Sequence, residues 1–451
     1  MRNTAKLITA KLTKTLFVST LLAVTFSVNA ASLSGTNLAP RTLIDVNQID
    51  TGTSYTNVSQ LTNNGTLTND QFGFFYNDRG SFYNNHVFNN AAASLFENRA
   101  SVENKGNISN NGLIKNLNSG VISNNSGGQL TNSGTFNNSG RLSITDAGSA
   151  LSNTGTLNNN DGAMISVVEA SLNNVSTITN DGSIVNGSIF KPKGNIFSKN
   201  LINTGTVTNF GLFDISKAFG HIPAGTVNNS GTFKTVVELS NHGTFYNSGT
   251  FFAQKISFPE LKNEVNGQGT FIQTAGLATI DSAMTQESIN IKGGVLNGSG
   301  IINSQVTVNG TSASNLASLA PGNSIGTLTI NGDYTQGEFG LLDIEFDELS
   351  SDLLKVSGIA NLGGILDFSF IGTDISIGTF NFLTFASLVG SFDSILLPKF
   401  EGFDFDVIFG DTYANLVITS AVSEVPVPAA LFLFGPALIG FMSLRRKALK
   451  R

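Results

Sequence analysis

The residue pattern predicts an all-β chain wound as a β-solenoid, of the right-handed parallel β-helix form, with a β-rich C-terminal cap and a single C-terminal transmembrane helix. Three observations carry this expectation. A short unit punctuated by Asn and Gly recurs from about residue 57 to residue 250. Charged residues make up only 12% of the chain, against about 25% in ordinary globular proteins. An uncharged apolar run fills residues 427–444, just before a basic C-terminus.

The repeat is clearest over residues 101–144. Apolar residues fall at Val102, Ile108, Leu113 or Ile114, Ile122, Leu130, Phe136 and Leu142, six to eight positions apart. Between them stand Asn, a polar residue and Gly. Each unit supplies three or four residues of β type, with one inward apolar side chain flanked by outward Thr or Ser. Turns this frequent leave no room for helices, and strands this short make poor hairpins. Stacked coils resolve the difficulty, because each short strand pairs with its equivalent one coil away and the core is buried collectively. Units of six permit a left-handed three-sided coil; the scatter from six to eight favours the looser right-handed form.

The 53 Asn follow from the same architecture. Asn at equivalent turns can form amide ladders along the axis, and Asn-Gly pairs supply turn positions with φ > 0. Identical charges stacked at about 4.8 Å would repel, so few charges are expected. Regular Val, Ile, Leu and Phe separate this tract from disordered low complexity.

Charge is unevenly distributed. Residues 31–424 hold 16 basic and 31 acidic residues, a net of −15. Such a body repels phosphate backbones, which argues against nucleic acid as a partner. There is no cysteine, hence no disulfide framework and no thiol chemistry.

The two ends read as addresses. Residues 1–30 have a basic n-region (Arg2, Lys6, Lys11, Lys14), an apolar run from Leu16 to Val24 and small residues ending at Ala30. This is the pattern of a secretory signal peptide, with cleavage expected between Ala30 and Ala31. At the other end, the 18 residues 427–444 would span roughly 27 Å as a helix, enough to cross a hydrocarbon core. Arg445, Arg446 and Lys447 follow directly and would stay on the cytoplasmic side, leaving the body outside.

Pro426-Val427-Pro428, Ala429-Ala430, the apolar span with its central Gly435, and the Arg445-Arg446-Lys447 cluster together resemble a PEP-CTERM sorting signal. The resemblance covers about 27 residues and departs from the family's Pro-Glu-Pro box at Val427. It implies processing by an exosortase-type membrane enzyme and delivery to the cell surface or extracellular matrix, with a transient or permanent single-pass anchor.

A second resemblance covers about 80 residues from 293. Gly298-Ser299-Gly300, then Pro321-Gly322-Asn323-Ser324-Ile325-Gly326-Thr327-Leu328, Tyr334-Thr335-Gln336, Ser351-Asp352-Leu353-Leu354 and Leu362-Gly363-Gly364 are similar to the passenger-associated repeat of autotransporter adhesins. The resemblance implies a β-helical segment near the end of a surface-exposed stalk. The export barrel of about 12 strands that accompanies such passengers is not part of the expected layout, so body and tail point to different export routes.

The resulting layout is a signal peptide (1–30), an N-terminal cap segment (31–56), Asn/Gly-rich solenoid repeats (57–292), the passenger-repeat-like segment (293–372), a Phe-rich β cap (373–419), a linker (420–425) and the sorting tail (426–451).

Catalytic material is sparse. Asp343, Glu345, Asp347, Glu348 and Asp352 form the densest acidic run, and strand alternation would put the first three on one face. That face suits solvent, Ca²⁺ or carbohydrate, and Asp352 is expected to cap a turn. His86, His221 and His242 are isolated. There is no GxSxG, HExxH or P-loop pattern. The expectation is therefore an exported structural or adhesin-like protein, not an enzyme, without cofactor or metal, associated with extracellular polysaccharide or biofilm. The alternative is a β-helical polysaccharide lyase or hydrolase.

Overall fold

The structure, a computed structural model, describes residues 30–187, 195–203, 206–209, 212–215, 226–254 and 264–421, together with Ala437 and Ile439. It is a parallel β-solenoid with three faces. Over one coil the chain runs along the first face (Ser54–Asn57), the second (Gln60–Asn63) and the third (Thr66–Asn69), and then returns to the first at Phe74–Asn77. Each strand pairs in parallel with its equivalent one coil on, as in Tyr55↔Phe75, Leu61↔Phe82 and Leu67↔Phe88.

Among the described residues, the second face is a stack of seventeen strands from Arg41–Leu43 to Ser394–Leu396. The third and first faces are joined by long strands that run round their shared corner, such as Ser171–Asn180 and Ala283–Ile291. Pairing begins at Ala31–Ser32 against Asn47–Gln48. It continues through 293–372 in the same three stacks, for example Leu296↔Leu319 and Leu342↔Leu366.

The typical strand is a tetrapeptide with two inward positions, an apolar residue second and Asn fourth. Gln60–Asn63 (QLTN) and Thr135–Asn138 (TFNN) show this pattern. Val102, Ile108, Ile114, Ile122, Leu130, Phe136 and Leu142 are all inward and essentially inaccessible, as the spacing predicts. Aromatic residues cluster within the core; Phe75, Phe82, Phe88 and Phe96 lie with centroids 4.9–6.1 Å apart.

The strand-ending asparagines also point inward. On the first face, eleven of them from Asn37 to Asn247 form one unbroken ladder, each Nδ2 donating to the next Oδ1 at 2.6–2.8 Å. The coils joined by this ladder take 18 to 26 residues each. Shorter ladders run from Asn69 to Asn174 on the third face and from Asn63 to Asn124 on the second. The second amide hydrogen goes to a main-chain carbonyl, as from Asn104 to Gln129 O at 3.1 Å. A buried amide left unpaired would cost about 1–3 kcal/mol; stacking supplies the missing partners.

The corner glycines differ from expectation. Gly112, Gly134 and Gly155 do not adopt positive φ. They are needed for close approach instead: a Cβ on Gly134 would sit 2.1 Å from Gly112 O, and one on Gly155 the same distance from Gly134 O. Adjacent corners touch backbone to backbone, and only glycine permits the contact.

The parallel stack ends in an antiparallel sheet. Gly378–Thr384 pairs with Tyr413–Ser420, which pairs with Phe403–Phe409. Phe380, Phe382, Phe385 and Phe392 are buried beneath this end, with Phe403 and Phe405 packed against them. Among the described residues, no helix is long and apolar enough to cross a membrane. The expected span at 427–444 lies outside them apart from Ala437 and Ile439, both helical.

Candidate functional site

The turn motif from the sequence is fully described. Pro321 ends the strand Ala317–Pro321 and is buried. Gly322 has φ +90° and forms paired main-chain bonds with Gly298, N to O at 2.8 and 2.9 Å. A side chain at Gly322 would overlap Ser324 O. Asn323 and Ser324 are exposed, and Asn323 Nδ2 donates to the Asp281 carboxylate at 3.3 Å. Gly326 N–H donates to Asp352 Oδ1 at 2.8 Å, while Glu345 N–H donates to Asp352 Oδ2 at 2.8 Å.

Asp352 thus ties the turn to the following coil, as expected of a capping residue. Burial pushes its carboxyl up to about 7, and the charges of Glu345 and Asp343 add to this, against the two main-chain N–H groups. An acid with this affinity for protons could serve catalysis. Here it is 1% exposed and engaged by both oxygens, so it holds the turn and cannot reach a substrate.

The acidic run divides. Asp343 and Glu345 lie on the outer side of Gly340–Phe346, whereas Asp347 lies past the strand's end. Asp343 is opposite Asp367 of the neighbouring strand. Burial, then Asp367, then Glu345 raise the Asp343 carboxyl above its ordinary range, and its buried Oδ1 has no hydrogen-bond partner. The Asp343–Asp367 juxtaposition was not legible in sequence, because it depends on coil register. Glu348 accepts from the N–H groups of Thr373 and Asp374, which hold its carboxyl down at about 2. Among the described residues, no three His, Cys, Asp or Glu are grouped to hold a metal.

His86 follows the strand Ser81–Asn84 in a bend, and His242 Nε2 lies 3.0 Å from Ser240 Oγ. His221 is outside the described residues. Ala30 precedes the first strand and Ala31 opens it. The sorting residues Pro426, Val427, Pro428, Gly435, Arg445, Arg446 and Lys447 lie outside the described residues.

A periodic polar feature also lies on the outside. On the third face, register aligns Gln48, Thr68, Asn89, Ser109, Thr131, Ser152 and Asn173 in one axial row. These are third-position residues, outward by strand alternation. They carry amides and hydroxyls at about 4.8 Å intervals, the strand spacing. At the C-terminal end, a groove of about 720 Å³ is lined by Thr379, Asn381, Thr384, Tyr413 and Asn415, among others. Its floor holds an amide pair, Asn381 Nδ2 donating to Asn415 Oδ1 at 2.8 Å. No charged side chain lines it.

No family model matches this chain, and no curated protein is similar to it.

Proposed function

We propose that the protein is an exported, non-enzymatic rod that adheres to extracellular polysaccharide through many weak polar contacts. The axial row from Gln48 to Asn173 carries this reading. A periodic line of hydroxyl and amide groups on a stiff support can engage a polymer repeatedly, so that weak contacts add through effective concentration. The strand-ending asparagines take no part, because the ladders bury them. The neutral C-terminal groove adds a second polar surface.

The two terminal patterns support the route. In this reading the signal peptide exports the chain, the apolar segment 427–444 anchors it, and an exosortase-type enzyme processes the tail. Binding of the purified full chain to exopolysaccharide tests adhesion; affinity that falls steadily as outer-row residues are changed to Ala, with no new chain ends released, is the expected result. Deleting 426–451 should release the protein from the envelope.

A second reading, a β-helical polysaccharide hydrolase or lyase, is favoured by one observation, the outward Asp343–Asp367 pair. Two carboxyls whose surroundings differ can divide acid and base roles. New reducing or unsaturated ends, lost in Asp343→Asn and Asp367→Asn, would establish it instead.

A further inference from the structure

Three equivalent turns stack at one corner of the first coils. Each closes with the same main-chain bond, from Thr53 N to Asp50 O at 3.0 Å, Gly73 N to Asp70 O at 2.8 Å and Ser94 N to Ala91 O at 3.2 Å. Each has one residue in the left-handed region: Gly52 (φ 72°), Phe72 (φ 59°) and Ala93 (φ 62°). A bulky residue is strained there, and glycine is not. A Cβ on Gly52 would meet nothing within 4 Å, so the turn faces open space.

Phe72 is 57% exposed. It serves neither the backbone conformation nor the core. Strain held by an exposed aromatic is a pointer to function, and its neighbours agree. Phe74 and Tyr76 occupy alternate positions on the outer side of the next strand, their planes within 3° and centroids 6.3 Å apart. Phe74 is itself 37% exposed. The strand one coil below has Ser54 and Thr56 in these places, and the strand above has Leu95 and Glu97. The aromatic group is thus confined to one coil.

Beside Tyr76 lies a groove of about 240 Å³, lined also by Thr56, Asp78, Glu97 and Arg99. Arg99 bridges Glu97 at 2.8 Å and Asp78 at 3.5 Å, and Arg79 meets Asp78 at 3.2 Å. The lining carries two carboxylates and one guanidinium, and Arg79 reaches Asp78 from outside it, so the groove offers no positive excess to an anionic ligand.

We propose that Phe72, Phe74 and Tyr76, with the Asp78–Glu97–Arg99 cluster, form a binding site for a neutral polysaccharide. Sugar rings present C–H faces that stack on aromatic planes, and hydroxyl edges that bond carboxylates and guanidinium groups. Anionic polymers meet a cluster without positive excess on an acidic body and gain nothing from it. The proposal rests on the polysaccharide-binding reading above and adds a place and a charge class.

The test uses the full chain with soluble neutral glucan, mannan and galactan, and with alginate as the acidic counterpart. Wild type should bind at least one neutral polymer more tightly than alginate. Phe72→Gly and Phe74→Ser should each weaken that binding about tenfold while the β spectrum and unfolding midpoint are kept, Phe72→Gly having a midpoint at or above wild type. Variants that bind as wild type does would overturn this site and leave the polysaccharide reading standing. Preference for alginate would overturn the charge class, and loss of self-association in Phe74→Ser would assign the patch to a second copy of the chain. No binding by wild type would overturn site and reading together.

Discussion

Asn104 is linked to Asn124 and to its neighbour Asn125 in opposite senses. Asn104 Nδ2 donates up the stack to Asn124 Oδ1 at 2.6 Å, while the Asn104 carbonyl accepts down the stack from the N–H of Asn125 at 3.0 Å. The same double link recurs at Asn110, where Nδ2 reaches Asn132 and the carbonyl accepts from Ser133. Side-chain and main-chain dipoles at the corner therefore run antiparallel, an attractive arrangement that lets long amide rows form in a medium of low dielectric.

Breaking a ladder in the middle should be costly. Asn104→Ala removes the acceptor of Asn84 and the donor to Asn124, with an expected loss of about 2–3 kcal/mol. Asn124→Ala, at the ladder's end, should cost less: Ile144 occupies the next coil, so no further amide depends on Asn124, whose Nδ2 donates instead to Gly128 O at 2.8 Å and Ala150 O at 2.9 Å. Denaturant midpoints of the two variants would rank them.

Close approach makes a different prediction from backbone conformation. Gly134→Ala forces a Cβ to 2.1 Å from Gly112 O and should destabilise by more than about 2 kcal/mol, since backbone must move. Gly127→Ala meets open space, at φ +86°, and should cost about 1 kcal/mol. Thermal melts of both proteins, with equal transitions as the contrary outcome, decide the point.

Two acids should give opposite pH dependences. Asp352 is raised to about 7 from 3.8, so its protonated form favours the fold and stability from this group falls as pH rises from about 4 to about 7. Glu348 is lowered to about 2 from 4.5; its contribution is present above about pH 4.5 and is lost as pH falls toward 2. Unfolding midpoints across pH 2–8 for Asp352→Asn and Glu348→Gln should each lack one of these slopes.

The strand Phe403–Phe409 pairs on one side only among the described residues. Asp404 and Asp406 lie on this edge and are exposed, and charges discourage edge-to-edge association. Asp404→Val with Asp406→Val should produce oligomers by sedimentation velocity at concentrations where the parent protein sediments unchanged.

Inward apolar positions were legible because a buried strand imposes alternation and a coil imposes spacing; Ile122 and Leu130 could be placed from these two rules. The low charge followed from stacking like on like. The direction of the asparagines was not legible. A polar residue ending a short strand reads as a turn, and only the amide one coil away, as at Asn57 and Asn77, makes its burial favourable.

The chain's local order accounts for β strands, their short length and their collective core, since these depend on neighbours six to eight residues away. Register between coils accounts for the rest. It brings Asp352 to Gly326, sets Asp343 against Asp367, turns corner glycines into contact points and gathers the charged groove beside Tyr76. Those relationships join residues about 20 or more positions apart, and they exist only once one coil rests on another.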